Sequence, residues 1–261
     1  MTGKVIDMPA PTAVTTAATP ASSAKAIRRL RQLGKAHALW THPFLARCME
    51  GQISLHDVRA LATQMYRFTR EFSPLLARIL AACPDEDVRV VIGENLFEEL
   101  GEGDPQKTHV ELFRHFTRAL GLDDATLEAI PAEPEIRRMV DVYLSLSERF
   151  GYLPALAAVC FASEGIVSTL YAKLQNGIEN AITLTPDDLV FFDLHIKTDT
   201  GHAAALVEVL EPRLEDGGEL VGAVAAVLEA MDARRGFFDG VERLAARMKT
   251  ETPRQMEVMA R

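Results

Sequence analysis

The sequence is poor in cysteine. Cys48, Cys83 and Cys160 are the only three in 261 residues, an odd and scattered set with no CxxC pair. This excludes a disulfide framework and a thiolate metal clip, and a reducing cytoplasm is the simplest compartment. Positive charge is also scarce: 28 Lys and Arg face 37 Asp and Glu, a formal charge of −9. A nucleic-acid partner, which needs a basic stripe, is therefore not expected, nor is docking on anionic lipid. No run of about 18 apolar residues is free of charges, so no transmembrane helix is expected. The opening stretch VIDMPAPTAVTTAATPASSA is broken by Asp7 and three prolines and lacks the continuous apolar region of a signal peptide. Period-2 alternation, GxGxxG and internal repeats are missing too, which leaves little room for strands or a dinucleotide fold.

What remains is helix. Residues 1–23, rich in Ala, Thr, Pro and Ser, bury too little apolar surface to order themselves and read as a disordered tail. One all-α domain is expected over residues 24–250, with a C-terminal tail at 251–261. Ser54 with Asp57 resembles a capping box opening a helix to about Ala82. Asp85 opens another that reaches about Gly101. Asp104-Pro105 and Thr185-Pro186-Asp187-Asp188 read as cap-plus-proline helix starts. Further helices are expected at Asp123–Ala129, Pro134–Phe150, across the apolar YLPALAAVCFASEGIVSTLYAKL, and from Glu219 to Met248.

Three polar features interrupt the stripes that should be apolar. His195, Asp199 and His202 stand at i, i+4 and i+7, so they project from one helix face. Phe192 and Leu206 lie on the same line, which directs the triplet inward. A buried carboxylate needs a partner or a metal. The plainer reading is an Asp bridging two histidines; the sharper one is a ligand set for Fe, Mn or Zn. Glu164 lies on the inner stripe of CFASEGIVSTLY and needs a cation, from Lys, Arg or metal. In ENLFEELGEGDPQKTHVELF, one of Glu98, Glu99 and Glu102 could turn inward beside His109. The break at Gly101–Pro105 prevents a choice by spacing. His115, six residues from His109, faces away and reads as surface. One Glu, His109, Glu164, His195, Asp199 and His202 give three carboxylates and three imidazoles. That is too many for one catalytic zinc and suits two divalent ions. The ferritin-like Glu-x-x-His pair does not occur in this chain.

The run NLFEE…G…H…LF…ALG, then Glu164, then HxxxDxxH, with HPF…ISL before them, resembles the heme-oxygenase-like dimetal oxidases. These are the iron-containing redox enzymes of the TenA/PqqC-like superfamily. The resemblance implies an all-α, seven-helix heme-oxygenase-like bundle without heme. It implies two Fe(II) ions, or iron mixed with manganese, held by Glu99, His109, Glu164, His195, Asp199 and His202. It also implies O2 as cosubstrate, a small-molecule substrate and a homodimer. Glu99 rests on this resemblance alone. Within the family, the p-aminobenzoate synthase branch is similar in its NLxxE and HxxxDxxH segments. That branch has a tyrosine where Leu45 stands here. Tyr66 matches a second tyrosine of the branch, which implies a catalytic part; the plainer reading is a buried aromatic with its hydroxyl satisfied. Two other functions compete. One is a TenA-like thiamin-salvage hydrolase with Cys160, four residues before Glu164, as nucleophile. The other is a non-catalytic protein that binds a small ligand in an apolar cavity.

Overall fold

A computed structural model describes residues 20–214 and 217–259, without the side chains of 20–22, 198–200 and 251–259. No strand occurs among the described residues, and every regular element is a helix. In chain order these are α1 (Pro20–Ala36), α2 (Pro43–Met49), α3 (Leu55–Ala82), α4 (Glu86–Glu99), α5 (His109–Ala119), α6 (Asp124–Ala129), α7 (Pro134–Phe150), α8 (Tyr152–Val159), α9 (Gly165–Ala181), α10 (Val190–Leu210) and α11 (Gly218–Met259). A π-turn, Cys160–Glu164, joins α8 to α9 in one continuous rod. Seven long rods result among the described residues: α1, α3, α4, α7, α8–α9, α10 and α11.

Local chemistry explains most boundaries. Ser54 caps α3 by accepting from the Asp57 amide, while Asp57 Oδ2 accepts from the Ser54 amide at 2.9 Å, the reciprocal capping box. Pro134 sits at the first position of α7, where its missing N–H costs nothing. Rod α8–α9 is long and apolar enough to cross a membrane, yet 83% of its apolar window is buried inside the bundle. It is the core helix, enclosed by α11, α7, α3, α2 and α10.

Four boundaries differ from the sequence expectation. Helix α5 starts at His109, not at Asp104-Pro105. Asp104 Oδ1 accepts from the Gln106 amide at 3.0 Å in a local turn, and the true cap is Thr108, whose hydroxyl accepts from the Glu111 amide. Thr185 and Asp188 cap each other, but over a single 3-10 turn, Asp187–Leu189, that precedes α10. Helix α1 begins at Pro20, inside the stretch read as tail, and α11 runs on to Met259. Residues 1–19 of the expected tail lie outside the described residues.

The π-turn was not legible in sequence. Gly165 N–H donates to the Cys160 carbonyl five residues back, and a Cβ at Gly165 would stand 2.5 Å from that oxygen. Only glycine closes this turn. The carbonyl of Ala162 is taken up by the Tyr143 hydroxyl at 2.8 Å and by Arg234 Nε at 3.0 Å. The turn places Glu164 at its end, facing α4 and α10.

Candidate metal centre

Glu99 is the last residue of α4 and His109 the first of α5. The chain reverses between them through Gly101, Glu102 and Gly103, all at positive φ. A Cβ at Gly101 would stand 2.7 Å from the Lys107 carbonyl carbon, so glycine is required there. The reversal sets His109 Nδ1 against Glu99 Oε2. From α10, His195 Nε2 arrives 3.4 Å from His109 Nδ1. His195 Nδ1 donates to the Phe191 carbonyl at 2.6 Å, which leaves Nε2 as the lone-pair nitrogen. Burial and the neighbouring His109 push His195 down to about 4, so the ring is neutral near pH 7. Burial alone would raise the Glu99 carboxyl, but His109, His195 and His202 hold it low.

A second set forms beside the first. Glu164 Oε1 accepts from Asn95 Nδ2 at 3.1 Å, and Glu164 Oε2 lies 3.6 Å from His202 Nδ1. His202 Nε2 meets Glu98 Oε2 at 2.7 Å. His202 Nδ1 and Asn95 Oδ1 are buried without a hydrogen-bond partner. Burial opposes a charged His202, but Glu164 and Glu98 overcome it and raise the ring to about 10. The site is therefore built to hold positive charge.

One donor atom each from Glu99, His109 and His195 lies within 4.8 Å of the others; the same is true of Glu99, Glu164 and His202. Glu99 is common to both groups. In the first group the three atoms share at most one proton, and in the second an imidazole nitrogen faces a carboxylate beyond hydrogen-bond range. This donor chemistry fits a metal cation, and Glu99 would be common to both groups.

Five of the six expected ligands are thus brought together. The Asp199 side chain lies outside the described residues; its backbone sits on α10 between His195 and His202. Of the alternatives left open, Glu98 supports His202, and Glu102 is exposed on the reversal. His115 is exposed and pairs with Asp188 at 3.8 Å. Asn95, which orients Glu164, is not among the residues read as functional. The signal was there, since Asn95 stands four residues before Glu99 on one face of α4.

Tyr66 is not brought to the cluster. Its ring is buried, and its hydroxyl donates to Glu128 at 3.0 Å and accepts from Arg114 at 2.8 Å. Cys160 is buried too, its thiol donating to the Ala203 carbonyl at 3.6 Å. Burial, and then the Glu164 charge, push that thiol far up, which suits it poorly as a nucleophile. Leu45 is a core aliphatic, 1% exposed.

Residues 59–235 match the family of iron-containing redox enzymes. The chain belongs to this iron-containing redox enzyme family. A relative from Nitrosomonas europaea, named 4-aminobenzoate synthase, is 28% identical over 214 residues, covering 78% of this chain and 85% of that one. The structure of a TenA homolog from Pseudomonas syringae superposes with a TM-score of 0.71 at 15% identity, covering 92% of this chain and all of that one. A domain of unknown function with a heme oxygenase-like fold from Shewanella denitrificans superposes at 0.68 and 16% identity, covering 84% and 91%. The fold of this iron-containing redox enzyme is accordingly all-α and heme-oxygenase-like.

Three spaces reach the redox enzyme's cluster among the described residues, one of about 280 Å³ beside Asn95, Glu98 and His202. An outer cavity of about 580 Å³ opens on Glu99, His109, His195 and His202, with Val190, Leu194 and Lys107 on its walls. Its volume suits a small molecule. An inner chamber of about 20 Å³ lies between Glu99, Glu164, His109 and His195 on one side and Phe68 and Arg234 on the other.

Proposed function

We propose that this chain is an O2-dependent dimetal oxidase or oxygenase, with two ferrous ions held by Glu99, His109, Glu164, His195, Asp199 and His202. The observation that carries the reading is the shared Glu99, common to two groups of donor atoms that face one another. When bound, the ions would supply electrons to O2 and make it reactive toward a small organic substrate. The chain's own residues do the rest. Phe191 O fixes the His195 tautomer, Glu98 orients His202, and Asn95 holds Glu164. Phe72, Phe191 and Tyr171 pack around His109 and His195, with Phe113 behind Phe191, and keep bulk water from the inner face.

The activity that names the Nitrosomonas relative is not assigned to this chain. The resemblance places a tyrosine where Leu45 stands, and an aliphatic side chain cannot supply a phenol. The hydrolase reading draws no support from the buried, protonated Cys160.

Oxygen uptake tests the proposal. Protein loaded anaerobically with ferrous iron is expected to consume O2, and His195→Ala to lose that uptake while keeping its circular dichroism. Uptake by metal-free protein, or undiminished uptake by His195→Ala, would overturn it.

A further inference from the structure

We propose that the groove between α4 and α10 is the path by which divalent ions enter, and that Glu94 is the carboxylate that first captures them. The proposal rests on the dimetal reading and adds to it how the centre is filled.

The groove is the space of about 280 Å³ beside the second donor group. Its α4 wall carries Glu94, Asn95 and Glu98. Glu94 and Glu98 stand one turn apart on one helix face, and both are exposed. The α10 wall carries Gly201, His202 and Ala205. A Cβ at Gly201 would meet nothing within 4 Å, so the missing side chain leaves open space. Among the described residues, no Lys or Arg lines the groove. Glu98 meets His202 at 2.7 Å, whereas Glu94 has no ion-pair partner among the described residues.

Two exposed acids do not make a path, since such groups are ordinarily solvated. Asn95 supplies the second observation. It lines the groove and is 4% exposed, and its Oδ1 is buried without a hydrogen-bond partner. Its Nδ2 is taken by Glu164 Oε1 at 3.1 Å, which leaves the oxygen as the free end. The two neighbouring carboxylates only accept, so they cannot satisfy that oxygen. A cation satisfies all three at once, and oxygen donors suit a divalent ion. Behind Asn95 lies the centre itself, where Glu164 Oε2 stands 3.6 Å from His202 Nδ1. Oxygen donors thus follow one another inward: Glu94 and Glu98 at the mouth, then Asn95, then Glu164.

The larger opening is built differently. The outer cavity of about 580 Å³ also holds acid, Glu98 and Glu102, but it sets Lys107 against them and adds the apolar Leu112, Val190 and Leu194. An ammonium opposes a cation, and apolar walls suit an organic molecule. The groove has acid and no such counter-charge. Acid of one sign between low-dielectric walls focuses the field and raises the local cation concentration. Glu98 lines both spaces, so it does not tell them apart. Glu94 lines the groove and Glu102 the outer cavity, which makes them the diagnostic pair.

The test is the rate of iron uptake. Metal-free protein is mixed anaerobically with ferrous iron at low ionic strength, quenched with chelator at intervals, and its bound iron counted. The final metal content is measured separately. Glu94→Gln should slow uptake about threefold or more and Glu94→Lys about tenfold or more, both reaching the wild-type content. Added salt should narrow these differences. Gly201→Leu, which places a side chain in the open groove, should slow uptake as well; leucine favours a helix more than glycine does, and circular dichroism checks the fold. Glu102→Gln should load at the wild-type rate. A Glu94→Lys or Gly201→Leu chain that loads as fast as wild type overturns the proposal. So does a Glu102→Gln chain slowed as much as Glu94→Gln. A lowered final content in Glu94→Gln, in place of a slower approach, marks a ligand and not an entry, and overturns it too. Full loading at unmoved rates refutes this proposal alone, whereas a wild-type protein that takes up no iron refutes the dimetal reading and this proposal with it.

Discussion

His202 Nδ1 is a single buried nitrogen without a hydrogen-bond partner, and much of the chemistry follows from it. Its sister Nε2 is held by Glu98, so the ring has a fixed orientation toward Glu164. At this scale the sequence was informative where helix geometry applies. HxxxDxxH lies within one helix, and its 3.6-residue period alone predicts that His195 and His202 share a face. It was silent where the chain turns. Glu98, Glu99 and Glu102 could not be ranked, because a reversal at positive φ separates them from His109. At Tyr66 the structure agrees with the plainer reading, a buried aromatic whose hydroxyl is occupied by Glu128 and Arg114. Tyr66→Phe should lower stability by about 1 kcal/mol through the lost hydrogen bonds. Denaturant titration measures this, and metal uptake should be unchanged.

Helices were read from their caps, and their boundaries moved where two caps competed, as at Asp104 and Thr108. The π-turn left no periodic signature, because five residues of irregular spacing inside an apolar run look like continued helix. Its consequence is mechanical. Gly165→Ala would force a methyl group against the Cys160 carbonyl, open the turn and displace Glu164. Ferrous binding should weaken by about tenfold or more, in line with other losses of ligand orientation, as read by metal titration. Helix α3 offers a pH test at its capping box. Burial by itself would raise Asp57, but the Lys249 ammonium and the Ser54 donors bring it down to about 2, from an ordinary 3.8. A lowered carboxyl stabilises the fold fully above its unfolded value and loses that contribution as pH falls through the folded one. About 2 kcal/mol should therefore vanish between roughly pH 4 and pH 2. Asp57→Asn should flatten that part of the stability–pH curve, followed by chemical denaturation.

The whole molecule places candidate ligands from α4, α5, the π-turn and α10 in two groups that share Glu99, a convergence that no single segment announces. Composition pointed to the all-α class, and the ordered motifs to the family; the walls of the cavities required coordinates. Because the ligands come from four separate elements, metal should tie the bundle together. At a free ferrous concentration about 100 times Kd, stabilisation should be about 2.7 kcal/mol, seen as a higher melting temperature than in chelator. The most direct measurement is metal content after anaerobic ferrous loading of the wild-type protein and of Glu99→Ala. The shared carboxylate predicts about two equivalents per chain in the first and loss of both in the second. A wild-type protein that binds no iron, or a Glu99→Ala variant that still binds two, would contradict it.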